Sequence, residues 1–135
     1  MAGSDVQVAF ITDENAADAD RLVTAARPNT SATMAETTFL GGGARNVTVT
    51  TTGTGDNAKT CTITGTDVFG NAMTEVITST GSAATVAGTK LFLTVSAVEC
   101  SAQYAANITV GSGDLCAKAA GGGGRVRLVG TSIVS

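Results

Sequence analysis

Two stretches, NVTVTTT at 46–52 and KTCTITGT at 59–66, put apolar residues and threonines on alternate positions. An extended strand turns successive side chains to opposite faces. Val47 and Val49 therefore share one face, as do Cys61 and Ile63, while threonines fill the other. A helix would scatter the same residues around its circumference. The habit recurs in short β-branched runs at 37–40 (TTFL), 72–79 (AMTEVITS), 89–98 (TKLFLTVSAV), 106–110 (ANITV) and 125–134 (RVRLVGTSIV). In the last run Val126, Leu128 and Ile133 are expected to point inward. Gly-, Ser- and Asp-rich connections separate these runs. Seven to eight short strands so spaced predict an all-β fold, either a single β-sandwich or a small barrel.

One segment departs from this pattern. Over 16–26 the spacing of Leu22, Val23 and Ala26 predicts a short helix, with a loop or bent strand as the alternative. Asn15 would cap it, Asp18 and Asp20 would sit near its first turn, and Arg27-Pro28 would end it. Ahead of it, the apolar run VQVAFIT at 6–12 reads equally as an N-terminal arm or as the first strand. The organisation is thus an arm or first strand over 1–14 and a single β-sandwich domain over 15–135. Gly121–Gly124 reads as a flexible connection or a mobile loop before the last strand.

Composition narrows the function. The 135 residues include four Phe, one Tyr and no Trp, so the core is built from small aliphatic side chains and burial against a partner is expected. The net charge is −3 and no Lys/Arg cluster occurs, which argues against nucleic acid as a partner. Arg125 and Arg127 are expected to be solvated. No run approaches a membrane span, and the opening MAGSDVQ is unlike a signal peptide. Asn29, Asn46 and Asn107 head N-x-S/T triplets, which imply no glycosylation without a secretory signal. Cys61, Cys100 and Cys116 lack CxxC spacing and are expected to be free thiols made in a reducing cytosol. Cys61 should pack as a small hydrophobe.

Catalytic parts are hard to assemble. With no histidine, neither a Ser-His-Asp nor a Cys-His arrangement is available. GGGAR and GGGGR lack the phosphate-loop pattern. The chain is read as non-enzymatic and without a cofactor. Asp56 with Asn57, Asp67 with Asn71, and Asp114 offer calcium-type oxygen ligands at turn tips. None has the dense spacing of a calcium loop, and Asp and Asn favour turns for backbone reasons, so no metal is expected. A faint echo links Asn46-Val-Thr-Val, followed by Gly53-Thr-Gly-Asp56, to Asn107-Ile-Thr-Val, followed by Gly111-Ser-Gly-Asp114. Both read as a strand entering a turn.

The most patterned stretch is ITGTDVFGNAMTEVI, 63–77, which reads as a hairpin. Asp67 would cap its turn, Gly70 or Asn71 would take positive φ, and flanking threonines would pair across the strands. Phe69 stands at the tip, either folded back over the sheet edge or offered to a partner. The pattern T-x-T-G-T-D-x-x-G-N-x-x-T-E-x-I, with the following Gly/Ala/Thr loop and TKLFLTVSAV, resembles small β-rich proteins of tailed-bacteriophage virions. Capsid decoration (cement) proteins come first among them. The resemblance covers about residues 45–111, and the GTDxxGN hairpin also resembles immunoglobulin-like repeats of bacterial adhesins.

The resemblance implies a homo-oligomer, with a trimer favoured, assembled in the host cytoplasm. It would sit on the outer capsid surface where it meets the major capsid protein, stabilising subunit junctions without binding membrane. Val6, Val8, Phe10 and Ile11 of the N-terminal arm, together with Phe69, are the expected contacts. A head-tail connector or tail subunit, and an immunoglobulin-like adhesion module, are the alternatives.

Overall fold

The computed structural model describes residues 17–119 and 126–128 and is all-β, with two antiparallel sheets facing one another. The strands are β1 (Val23–Ala26), β2 (Ala44–Thr51), β3 (Thr60–Thr66), β4 (Ala72–Thr78), β5 (Ala84–Phe92), β6 (Thr94–Cys100), β7 (Ile108–Ala119) and β8 (Val126–Leu128). One sheet runs β1-β7-β2-β5, with β8 also pairing β7; the other runs β4-β3-β6. Leu22, Val23, Val47, Val49, Phe92, Ile108 and Val110 from the first sheet and its flank pack against Cys61, Ile63, Ile77, Val95 and Val98 from the second. Full burial of each such aliphatic or aromatic side chain contributes roughly 1.5–3 kcal/mol. The two-sheet layout realises the sandwich rather than the barrel.

β3 follows its alternation without interruption. Cys61, Ile63 and Gly65 are buried, and Thr60, Thr62, Thr64 and Thr66 are half-buried on the outer face. Its register to β4 is unbroken from Thr60↔Thr78 to Thr66↔Ala72, and includes the expected threonine pair Thr64↔Thr74.

β2 is different, because both its neighbours bulge. Val47 alone faces Gly88, Thr89 and Lys90 of β5, and Asn46 alone faces Gly113, Asp114 and Leu115 of β7. A bulge strands backbone groups that need partners. The Asn46 side-chain amide donates to the Gly88 carbonyl (3.0 Å), and its oxygen accepts the Leu115 N–H (3.0 Å). Buried Arg45 donates to the Gly113 carbonyl through Nε (3.1 Å) and Nη2 (2.6 Å).

The sheets are stitched at their β4/β5 edge. Glu75 accepts the Thr89 N–H (2.8 Å), the Thr89 hydroxyl (3.2 Å) and the Lys90 N–H (3.3 Å). Lys90 Nζ returns a bond to the Thr74 carbonyl (2.7 Å). A Cβ at residue 88 would displace the Glu75 carboxylate from this position, so glycine here leaves room for the contact. The β6 edge is covered by the 30–38 segment: Cys100 N–H donates to the Thr30 carbonyl, Ala32 N–H to Val98, and Val95 N–H to Thr37. Covering an edge in this way blocks pairing with other chains.

Four expectations are corrected. The helix over 16–26 does not form in the part described; a turn at 19–20 leads into β1, where Val23 pairs with Val110 and Ala26 with Ile108. Leu22 N–H donates to the Val110 carbonyl (2.9 Å), and Asp18 exchanges bonds with Ser112 instead of facing a helix dipole. β7 supplies an edge for this segment, and pairing with it buries Leu22 and Val23 together.

The single strand expected over 89–98 is two. The chain leaves β5 at Phe92 and enters β6 in the other sheet at Thr94, with the Leu93 N–H bonded to the Thr66 carbonyl (2.7 Å). TTFL at 37–40 makes only an isolated bridge, Thr38↔Thr94, before a 3-10 turn at Leu40–Gly42. Gly111-Ser-Gly-Asp114 is no turn: β7 runs through it, with Gly111 and Ser112 paired to Thr48 and Val47 and Gly113 and Asp114 in the bulge opposite Asn46. The echo with 53–56 is therefore one of composition.

The arm at 1–14 and the Gly121–Gly124 connection lie outside the described residues, as does Ile133. Val126 and Leu128 lie on β8, where Leu128 pairs with Ala117 and Val126 with Ala119.

Candidate contact surface at the β3–β4 tip

The β3–β4 hairpin closes through a loop in which Asp67 supplies most of the bonding. Asp67 N–H donates to the Asn71 carbonyl (3.0 Å), and the Asp67 carbonyl accepts the Gly70 N–H (3.1 Å). Its carboxylate Oδ1 accepts the N–H groups of Phe69 (2.8 Å) and Asn71 (2.9 Å). Gly70 sits at φ +85°, the left-handed position that ends a three-residue hairpin loop. The Asn71 N–H is the main cause that holds the Asp67 carboxyl below its ordinary value of 3.8; partial desolvation opposes it, and the Phe69 N–H and Asn71 side chain add to it.

This bracing presents Phe69 outward, 66% exposed. It does not fold back over the sheet edge. Val76 on the outer face of β4, Leu115 in the β7 bulge and Leu40 in the 3-10 turn are the other exposed large hydrophobics among the described residues. Of the expected contacts, Phe69 is thus accessible, whereas Val6, Val8, Phe10 and Ile11 lie outside the described residues.

The acidic and amide residues of the hairpin do not converge. Asp67 and Asn71 serve their own turn, while Glu75 reaches away to the β5 bulge. The other turn-tip carboxylates are equally dispersed. Asp56 is fully buried, 2.8 Å from Lys59 Nζ, and accepts the Ala105 N–H (2.7 Å). Burial pushes its carboxyl upward, but the Lys59 and Ala105 hydrogen bonds and the charges of Lys59 and Arg27 outweigh it, so the net shift is downward. Asp114 is exposed in the β7 bulge. Among the described residues, no group of three or more His, Cys, Asp or Glu could hold a metal.

A buried polar cluster between the sheets escaped the sequence reading. Tyr104, fully buried, accepts a hydrogen bond from the Ser79 hydroxyl (3.1 Å) and lies 3.3 Å from Cys61 Sγ through its own hydroxyl. Cys61 Sγ is in turn 3.7 Å from Cys100 Sγ. Lys59 Nζ stands 5.6 Å from the centre of the Tyr104 ring, and Arg27 Nε donates to the Tyr104 carbonyl (2.8 Å). Alternation placed Cys61 inward, but nothing in the sequence announced that β6 would lie beside β3. Cys61, Cys100 and Cys116 are all buried.

The fold is a small antiparallel β-sandwich that exposes apolar side chains at a hairpin tip and on outer strand faces. No protein-family model, curated protein or solved structure matches the chain.

Proposed function

We propose that this chain is a non-enzymatic virion structural protein of a tailed bacteriophage. It binds the outer capsid surface and stabilises the shell across junctions of the major capsid protein, as a homo-oligomer with a trimer favoured. The observation that carries the reading is Phe69, held outward on a tip braced by its own carboxylate. Burying one such ring on docking contributes roughly 1.5–3 kcal/mol. Because the tip is already ordered, little of that gain is offset by freezing a loop. Copies joined in one oligomer would multiply a weak single contact into a strong one. The likeness of 45–111 to decoration proteins and the acidic net charge support the same reading.

The test is the copy number of this protein in purified particles relative to the major capsid protein. A ratio near one supports the cement role; a few per cent moves the protein to a connector or tail position. Absence from particles favours the adhesion-module alternative. Phe69→Asp sharpens the test. It is expected to leave the melting temperature nearly unchanged and to reduce occupancy on particles about tenfold or more, equivalent to about 1.4 kcal/mol.

A further inference from the structure

Cys61 and Cys100 are register partners on β3 and β6. The hydrogen bonds show which kind of pair they form. Ser101 N–H donates to the Thr60 carbonyl (3.0 Å), whereas Cys100 N–H points away from β3 to the Thr30 carbonyl (2.6 Å). Thr60 and Ser101 are therefore the bonded pair, and Cys61 and Cys100 the non-bonded pair next to it. At such positions the Cα atoms come within about 4.5 Å and the side chains are closest. That lies inside the span a disulfide bridges. Both sulfurs sit on the inner face, 3.7 Å apart, with the Tyr104 hydroxyl 3.3 Å from Cys61.

The two thiols are not equivalent. The Cys100 hydrogen bond is the main influence holding the Cys61 thiol below its ordinary range; burial opposes it and Tyr104 reinforces it. Cys100, bonded to Cys61 and desolvated, is pushed well above that range. The Tyr104 hydroxyl accepts from Ser79 and so has its own proton left to donate to Cys61 Sγ. That gives Cys61 the attacking role and Cys100, 3.7 Å away, the resolving one. Both thiols are buried, so the reaction requires a local opening of the fold.

We propose that Cys61 and Cys100 are a two-electron redox site that closes to a reversible cross-strand disulfide inside the three-stranded sheet. A hydroperoxide is the oxidant. The Cys61 thiolate attacks the terminal oxygen, the O–O bond breaks, and the leaving oxygen departs protonated as water or an alcohol, giving a Cys61 sulfenic acid. The Cys100 sulfur then attacks the Cys61 sulfur and the S–O bond breaks. A molecule of water leaves with the Cys100 proton. Two thiols lose two electrons and two protons, and the peroxide is reduced by the same two electrons. A dithiol reverses the bond by exchange. Closure ties β3 to β6 around the whole of β4 and β5, which restricts the unfolded chain. Cys116, on β7 in the other sheet, takes no part. The inference does not depend on where the protein acts.

The test treats the reduced full chain with hydrogen peroxide in native buffer, then quenches it and maps its peptides. The expected product is an intramolecular Cys61–Cys100 peptide pair and a loss of two hydrogens in mass, both reversed by dithiothreitol. The melting temperature should rise by about 5 °C or more. Cys100→Ser should trap a dimedone-reactive sulfenic acid at Cys61, and Cys61→Ser should react at least tenfold more slowly at Cys100. Three results would overturn the proposal: both thiols remaining titratable in the folded chain, a bond appearing only in denaturant, or Cys61 passing to sulfinic acid without pairing. The peptide map of the unaltered chain decides the matter even if a serine variant fails to fold.

Discussion

β2 and β3 look alike as sequence, each an alternation of threonine with small apolar residues, yet they occupy different environments. β3 keeps a buried face and a half-exposed face. β2 is buried at nearly every position, including Arg45, Asn46, Thr48 and Thr51. The cause is position. β2 lies between β5, which bulges opposite Val47, and β7, which bulges opposite Asn46, and its polar side chains bond to the carbonyls and N–H groups those bulges free. Alternation thus tells which side of a strand faces the core. It does not tell how deep the other side lies.

The largest expected effect tests what the strands share. Ile63→Ala removes a fully buried side chain from the core and should cost about 3 kcal/mol in denaturant unfolding. A cost under about 1 kcal/mol would mean that β3 does not anchor the core. The next effect separates the strands. Asn46→Ala leaves the Gly88 carbonyl and the Leu115 N–H without partners and should cost about 2–3 kcal/mol. A near-neutral result would show that the two bulges hold without it.

A third prediction addresses the connection between the strands. Asp56, with its carboxyl held below 3.8, contributes stability that is present above that pH and lost as pH falls through the lowered value. Asp56→Asn should therefore lower the melting temperature markedly at pH 7 and far less near pH 2. Equal losses at both would sink the ion-pair account. The smallest effect is expected on the outer face of β3. Thr62→Ala should change stability by no more than about 0.5 kcal/mol, against the much larger cost at buried Asn46 of β2.

Several features were legible because they are local. The hairpin at 63–77, with Asp67 capping and Gly70 or Asn71 at positive φ, was predicted from turn chemistry that acts over a few residues, and it is Gly70 that takes the positive φ. The inward set Val47, Val49, Cys61 and Ile63 came from period-two alternation, and all four are buried. The failures share a distant cause. Leu22, Val23 and Ala26 fit a helical face as well as they fit β1, and the edge of β7 decided between them. TKLFLTVSAV reads as one strand because the bend at Leu93 is set by which sheet each half joins. Gly111-Ser-Gly-Asp114 has turn composition, but β2 holds it in a ladder.

By itself, the sequence determined the all-β class, the inward face of the central strands and the turn braced by Asp67, since each follows from contacts a few residues apart; that Phe69 points outward was decided by the tertiary structure. Only the tertiary structure decided which strands are neighbours. That choice assigned Glu75 to the β5 bulge, Asn46 to two carbonyl and N–H orphans, and Cys61 to Cys100. Each of these pairs is separated by a stretch of chain over which no local rule acts, and the separation is closed only when two sheets bury their apolar faces together.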